Sequence, residues 1–215
     1  LIAWDMEVLP HDPEVLLREV DGLALDESIE DLVAGVTEAG GALEIVSDGT
    51  GFHVERMIDR LDQAHLPVAT NASVLGQGAE GVTFPYGHPA CHVCGTCKRE
   101  RIRLHQAAGR AVVFVGDGPS DRYAAHHADV IFAKHSLANW CEVENVPYEP
   151  WQRLADVAEW LEVALLDGRL PASPDDYEGW AAEARPEAES FICGPELWGE
   201  EREVAPGSVD RSALR

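Results

Sequence analysis

Apolar positions along the chain change their period several times, and each change marks an element. Over residues 1–21 (LIAWDMEVLPHDPEVLLREVD) they recur at helical spacing in two short amphipathic stretches separated by Pro10 and Pro13. From Ser28 onward Ile29, Leu32, Val33 and Val36 predict a helix that Gly40-Gly41 ends. The run ALEIVS (42–47) is short and apolar, which predicts a buried strand; a glycine-bearing turn, DGTG, and a helix from Phe52 to Leu61 follow. LPVATNASV (66–74) predicts a second strand, leading into a glycine-punctuated excursion over 75–97. Next come a helix over KRERIRLHQAAG (98–109), a strand over AVVFV (111–115), a helix from Ser120 to His127 and a strand over DVIFA (129–133). Trp151, Leu154, Ala158, Leu161 and Leu165 mark one face of a last helix. Strands alternating with helices predict an α/β fold with a parallel sheet and right-handed crossovers.

A length of 215 residues suits one sizeable domain with a small appendage. No apolar run reaches the ~20 residues of a membrane-spanning helix, so no membrane partner is expected. The balance of 16 basic against 39 acidic residues, a net charge of −23, argues against nucleic acid, whose binding needs clustered Lys and Arg. It also disfavours a dianionic ligand at low ionic strength, an effect that salt screens. Three of the five cysteines are bunched at Cys91, Cys94 and Cys97, a pattern of a reduced, cytoplasmic protein rather than of a disulfide framework. Residues 26–170 are expected to form the core. From 171 to 215 the chain carries eleven acidic and four basic residues with several prolines, and a loosely packed tail is expected. Oligomeric state is not legible in the sequence.

Candidate chemistry gathers at strand ends and helix starts, where open α/β sheets bind ligands. Asp117 follows the strand 111–115 between Gly116 and Gly118, and Asp121 opens the next helix. Two readings fit: both carboxylates converge on a hard cation such as Mg²⁺, or the turn is Asp-rich with a helix cap at Ser120 or Asp121. Ser47 ends its strand ahead of a glycine turn, a geometry in which the hydroxyl and the backbone N–H groups of Asp48 and Gly49 bind phosphate. A serine at a strand end is also ordinary. Lys98 opens a helix, where the dipole disfavours a cation unless an anion lies near. A solvent-screened basic turn is the plain alternative.

A strand-end serine, a helix-start lysine and GDGxSD, in that order, resemble the haloacid-dehalogenase-like (HAD-like) phosphohydrolases. CHVCGTCKRERI and GDGPSDRYAAHHADVIFAKHSLANWCEVENVPY narrow the likeness to the branch of the methionine-salvage phosphatases, with phosphoserine phosphatases as relatives. The resemblance implies a Rossmann-like HAD core with a remnant of a small helical cap over residues 1–25. It further implies a small phosphorylated metabolite as substrate and Mg²⁺ as cofactor. By the same resemblance Ser47 hydrogen-bonds the transferred phosphoryl group, Lys98 neutralises it, Asp117 ligates Mg²⁺, and Asp121 supports the metal shell directly or through water.

The family's first motif, DxDGT, carries the aspartate nucleophile and is not found; Asp5-Met6-Glu7 is the nearest echo. The chain starts at Leu1, and the expectation is that an N-terminal segment with that strand has been lost. Unpaired sheet edges and an inactive, poorly stable chain are then expected. A nucleophile-less protein that binds phosphorylated metabolites is the alternative. Cys91, Cys94 and Cys97, with His88, His92 or Cys141, offer a second alternative, a structural Zn²⁺ site in an interaction module. Against zinc stands a compact loop with its cysteines buried as small apolar groups. His126 and His127 are read as ordinary surface or boundary residues.

Overall fold

The structure is a computed structural model that describes residues 2–10, 12–88, 94–171 and 173–184. The described chain divides into two compact units, one of residues up to 27 together with 43–97, the other of 28–42 together with 98–184.

The first unit holds α1 (Ile2–Val8), α2 (Pro13–Asp21), β1 (Ile45–Thr50), α4 (Gly51–Arg60), β2 (Val68–Ser73) and β3 (Val82–Thr83). Its local signals are conventional: Asp12 caps α2 by accepting from the Glu14 N–H at 2.9 Å, and Pro13 fills the first helical position. β1 pairs parallel to β2, with Ile45 opposite Val68 and Val46 opposite Ala69. The ladder slips between Val46 and Thr50, so Thr50 comes to face Asn71. β3, inside the predicted excursion, adds antiparallel to β2. Buried Leu16 and Val20 of α2 and Val54 and Ile58 of α4 form the apolar filling. Outside it Arg56 holds both carboxylate oxygens of Asp21, at 2.7 and 2.9 Å. Arg60 donates to the carbonyls of Val20 and Leu23. Residues 1–25, expected as a cap remnant, supply α1 and α2 of this unit.

The second unit holds α3 (Ile29–Glu38), α5 (Lys98–Ala107), β4 (Val113–Gly116), α6 (Arg122–Ala125), β5 (Val130–Ala133), α7 (His135–Glu144), β6 (Glu149–Pro150), α8 (Leu154–Leu166) and α9 (Tyr177–Ala184). Its sheet, β4-β5-β6, is wholly parallel. The parallel α/β character expected from the alternating pattern is thus present. Ile102, Ala124, Ala125, Ala128, Ile131, Ala133, Leu137 and Cys141 form the core. Phe132 stands edge-on to Trp160 of α8 at 5.3 Å.

Three sequence expectations shift. The strand predicted at 42–47 runs from Ile45 to Thr50, so it carries Ser47 in its middle rather than at its end. α8 buries Val157, Leu161 and Ala164, whereas Leu165, expected on the inner face, is exposed. Ser28 accepts from the Ala155 N–H at 3.0 Å, and that bond with the Phe132–Trp160 contact fixes the helix's rotation. Within the acidic stretch, Tyr177 of α9 is buried with its hydroxyl 3.3 Å from both oxygens of Asp129. Residues 185–215 lie outside the described residues.

Among the described residues β1 and β4 each have a strand partner on one side only. β4 is apolar on both faces, as buried parallel strands are, yet Val113, Phe114 and Val115 are only half-buried.

Leu137 is fully buried in the second unit's core. Leu137→Ala is expected to destabilise the protein by about 2–5 kcal/mol, read as a lower urea midpoint.

Candidate functional site

The predicted residues fall into two groups, one in each unit. In the second unit the strand β4 ends at Gly116, and the chain turns through Asp117, Gly118, Pro119 and Ser120 into α6. Asp121 closes this turn. Its Oδ2 accepts the backbone N–H groups of Asp117 at 3.0 Å and Gly118 at 2.9 Å. Its Oδ1 pairs with the Lys98 ammonium, which also reaches the Ser120 hydroxyl at 3.3 Å. The ion pair is largely removed from water, with side-chain exposures of 12% for Lys98 and 7% for Asp121. The anion that Lys98 needs at a helix start is therefore supplied within the fold. Gly116 is obligatory here, since a Cβ on it would sit 2.8 Å from Asp121 Oδ2.

Asp117 is set differently. Its carbonyl accepts from the Ser136 hydroxyl at 3.0 Å and the Leu137 N–H at 3.2 Å, which fixes its backbone. Its side chain is exposed, and among the described residues no hydrogen bond or ion pair engages the carboxylate. Mg²⁺ takes one or two protein carboxylates and fills its remaining positions with water and phosphate oxygens. Asp117 fits that demand; Asp121, with both oxygens engaged, does not present a lone pair in the same way. Trp151 donates from Nε1 to the Gly116 carbonyl at 3.1 Å, and Lys134 lies over its ring at 3.4 Å.

In the first unit β1 carries Ser47, Asp48 and Gly49. The Ser47 oxygen accepts the Gly49 N–H at 3.1 Å, so the hydroxyl proton is directed elsewhere. Asp48 Oδ1 accepts the N–H groups of Gly95 at 2.7 Å and Thr96 at 3.0 Å. The carboxylate thus fastens the Gly95-Thr96 pair, between Cys94 and Cys97, to β1. Asn71, with no exposed surface, completes the arrangement by donating to the carbonyls of Asp48 and Gly49 and accepting from the Thr96 hydroxyl. A Cβ on Gly95 would fall 2.3 Å from Asn71 Oδ1, so this loop position admits only glycine.

Sequence reading missed Asn71, Gly95 and Thr96. The available signal was an asparagine inside an otherwise strand-like VATNAS, where a polar residue must be satisfied once buried. It also missed His53, whose Nδ1 lies 2.9 Å from the Thr50 hydroxyl. Burial lowers the pKa of His53 from 6.5.

Of the zinc candidates, Cys91 and His92 lie outside the described residues. Cys97 is buried and Cys94 half-buried, while Cys141 belongs to the second unit's core, where burial pushes its thiol pKa up. Among the described residues no three His, Cys, Asp or Glu side chains are grouped to hold a metal. Zinc is without support. His126 is exposed and edge-on to Trp140, but His127 is buried at 7% exposure, which corrects its reading as a surface or boundary residue.

Comparison with known proteins bears first on the fold. The fold is shared with a probable phosphoserine phosphatase from Vibrio cholerae, solved in its unliganded form, at a TM-score of 0.57 and 20% identity over 78% of this chain and 50% of that one. The chain is, more narrowly, similar in sequence to two proteins named 2-hydroxy-3-keto-5-methylthiopentenyl-1-phosphate phosphatase. That of Geobacillus thermodenitrificans is 29% identical over 64% of this chain and 63% of its own length. That of Brevibacillus brevis is 28% identical over 61% of this chain. The matches span about three fifths of these relatives' lengths (63% and 60%). No family model matches the chain.

Two predictions follow from the geometry. Lys98→Met strands the Asp121 carboxylate and is expected to cost about 3–5 kcal/mol, measured by urea unfolding at constant pH. For His53, the unfolded ring takes up its proton at 6.5 and the folded ring only at lower pH. Its contribution to stability is therefore complete above that value and declines as pH falls below it towards the folded pKa. The slope of stability against pH in this window should flatten in His53→Phe.

Proposed function

We propose that these residues form the phosphate- and metal-binding parts of a Mg²⁺-dependent phosphomonoester hydrolase of the haloacid-dehalogenase type, acting on a small phosphorylated metabolite. The observation that supports it best is the Gly116–Asp121 turn, which locks a lysine onto one aspartate and leaves the other aspartate's carboxylate open. Relatives named as phosphatases of one enol phosphate add to it, and that ester is the first to try. The bunching of Cys91, Cys94 and Cys97 in the sequence supports a reducing, cytoplasmic setting. Among the described residues no helix is long and apolar enough to cross a membrane.

In this reading the Ser47 hydroxyl, its oxygen already holding the Gly49 N–H, donates its proton to a phosphoryl oxygen. Lys98 gives two N–H bonds to Asp121 and Ser120 and keeps a third for an anion. Asp121 acts through Lys98 and through the turn, so it is a positioning residue. Asp117 holds the cation. Mg²⁺, when bound, supplies positive charge against the phosphoryl oxygens. The DxDGT stretch that carries the nucleophile in the family the motifs resemble does not occur among the 215 residues. We therefore expect these residues to bind phosphate without hydrolysing esters by themselves.

Calorimetric titration with inorganic phosphate, with and without Mg²⁺, tests this. Phosphate affinity should rise with Mg²⁺, and Asp117→Asn should remove roughly tenfold or more of metal affinity. Ser47→Ala should weaken phosphate about fivefold to tenfold, the worth of one hydrogen bond. Phosphate binding indifferent to both substitutions would overturn the reading. Ester turnover by the 215 residues would overturn the expected inactivity.

A further inference from the structure

Thr50 is the N-cap of α4, with the extended backbone of that position, but its hydroxyl makes no capping bond to the helix. The hydroxyl is instead 2.9 Å from Nδ1 of His53, the third residue of the helix. Phe52 stands edge-on to the same ring at 5.6 Å. Two neighbours therefore fix the imidazole's orientation at the expense of the cap.

The far edge of the ring is laid over Gly49. A Cβ built on that glycine would fall 2.5 Å from Cε1 and 2.7 Å from Nε2 of His53, and 3.1 Å from Ser47 Oγ. Any side chain at position 49 would displace the ring. Nε2 and Ser47 Oγ thus lie on the same side of Gly49, 2.7 and 3.1 Å from one point, near enough for a single phosphoryl group to accept from both.

We propose that His53 is a second phosphoryl-binding residue beside Ser47, presenting Nε2–H in the tautomer whose Nδ1 accepts from the Thr50 hydroxyl. The proposal rests on the reading of Ser47 as a phosphate ligand. It gives that site a neutral donor: burial keeps the imidazole uncharged at neutral pH, so the tautomer decides what Nε2 offers. With Nδ1 accepting, Nε2 carries the hydrogen. With Nδ1 donating to Thr50, Nε2 would be a lone pair facing an anion. Only the first arrangement binds phosphate, which gives the Thr50–His53 pairing a function in addition to its structural one.

Imidazole ¹⁵N spectra of the full chain titrated with inorganic phosphate provide the test. The expected result is a protonated Nε2 in the free protein whose resonance moves on saturation with phosphate. His53→Phe, which keeps the ring's shape without a donor, should weaken phosphate about fivefold to tenfold. His53→Gln, whose side-chain NH₂ reaches a place similar to that of Nε2, should bind within about twofold of the parent chain. Thr50→Val should leave a mixture of tautomers and intermediate affinity. Urea unfolding of each variant separates lost binding from lost folding. An Nδ1–H tautomer that phosphate does not move would overturn the proposal. Undiminished phosphate affinity in His53→Phe, with Ser47→Ala weakened, would overturn it and leave the Ser47 reading standing. No saturable phosphate binding by the parent chain would bring down both.

Discussion

The Asp121 carboxylate accepts a buried ammonium on one oxygen and two backbone N–H groups on the other, and the second unit's candidate chemistry depends on that engagement. A carboxylate in this position would carry a large desolvation cost if it were unpaired. Paired as it is, it does two things together. It draws the first residue of α5 to the end of β4, and it bends the chain so that Asp117 projects outward with its backbone fixed. The glycine at 116 is a steric condition of the same arrangement, because the carboxylate occupies the space where a Cβ would lie.

The first unit solves a similar problem with different groups. Asp48 receives two loop N–H groups, and Asn71 closes the cluster from the neighbouring strand. In both units a buried polar side chain takes over backbone groups that the parallel ladder leaves unpaired at its end. Asp48 is thereby distinguished from Ser47. Its carboxylate, adverse to an anion, faces loop amides, while the serine keeps its proton for another acceptor. The cysteine-rich stretch gains a plain role from this, since its Gly95-Thr96 pair is what the aspartate grips.

Much of this was legible in the sequence, for identifiable reasons. β2, β4 and β5 are short β-branched or apolar runs bounded by turn residues, and α3 and α4 keep helical spacing. GDGPSD announced a constrained turn because two glycines and two aspartates have few other uses together. α7 was not read, since Leu137 and Cys141 are diluted by His135, Ser136 and Asn139 and carry little periodic signal. The two-residue strands β3 and β6 have no pattern of their own and exist by pairing with β2 and β5. Asn71 and Thr96 lie 25 positions apart in the chain, so their partnership belongs to tertiary structure alone. His53 looked like any polar residue of an amphipathic helix until Gly49 was seen beneath its ring.

The one-sided pairing of β1 and β4 among the described residues bears on how these 215 residues behave as a solute. A half-buried Val-Phe-Val edge is a template for a strand of another molecule, and proteins usually guard such edges with lysine, proline or a bulge. β4 has none of these within Val113–Gly116. What separates one copy from another is then long-range: a net charge of −23 spread over 215 residues. That barrier is colloidal rather than steric. It shrinks as salt shortens the Debye length and vanishes near the isoelectric point of about 4.5. The acidity that looks like simple surface decoration is thus the counterpart of a half-buried, one-sided strand, and the two features together set the conditions under which these 215 residues stay dispersed.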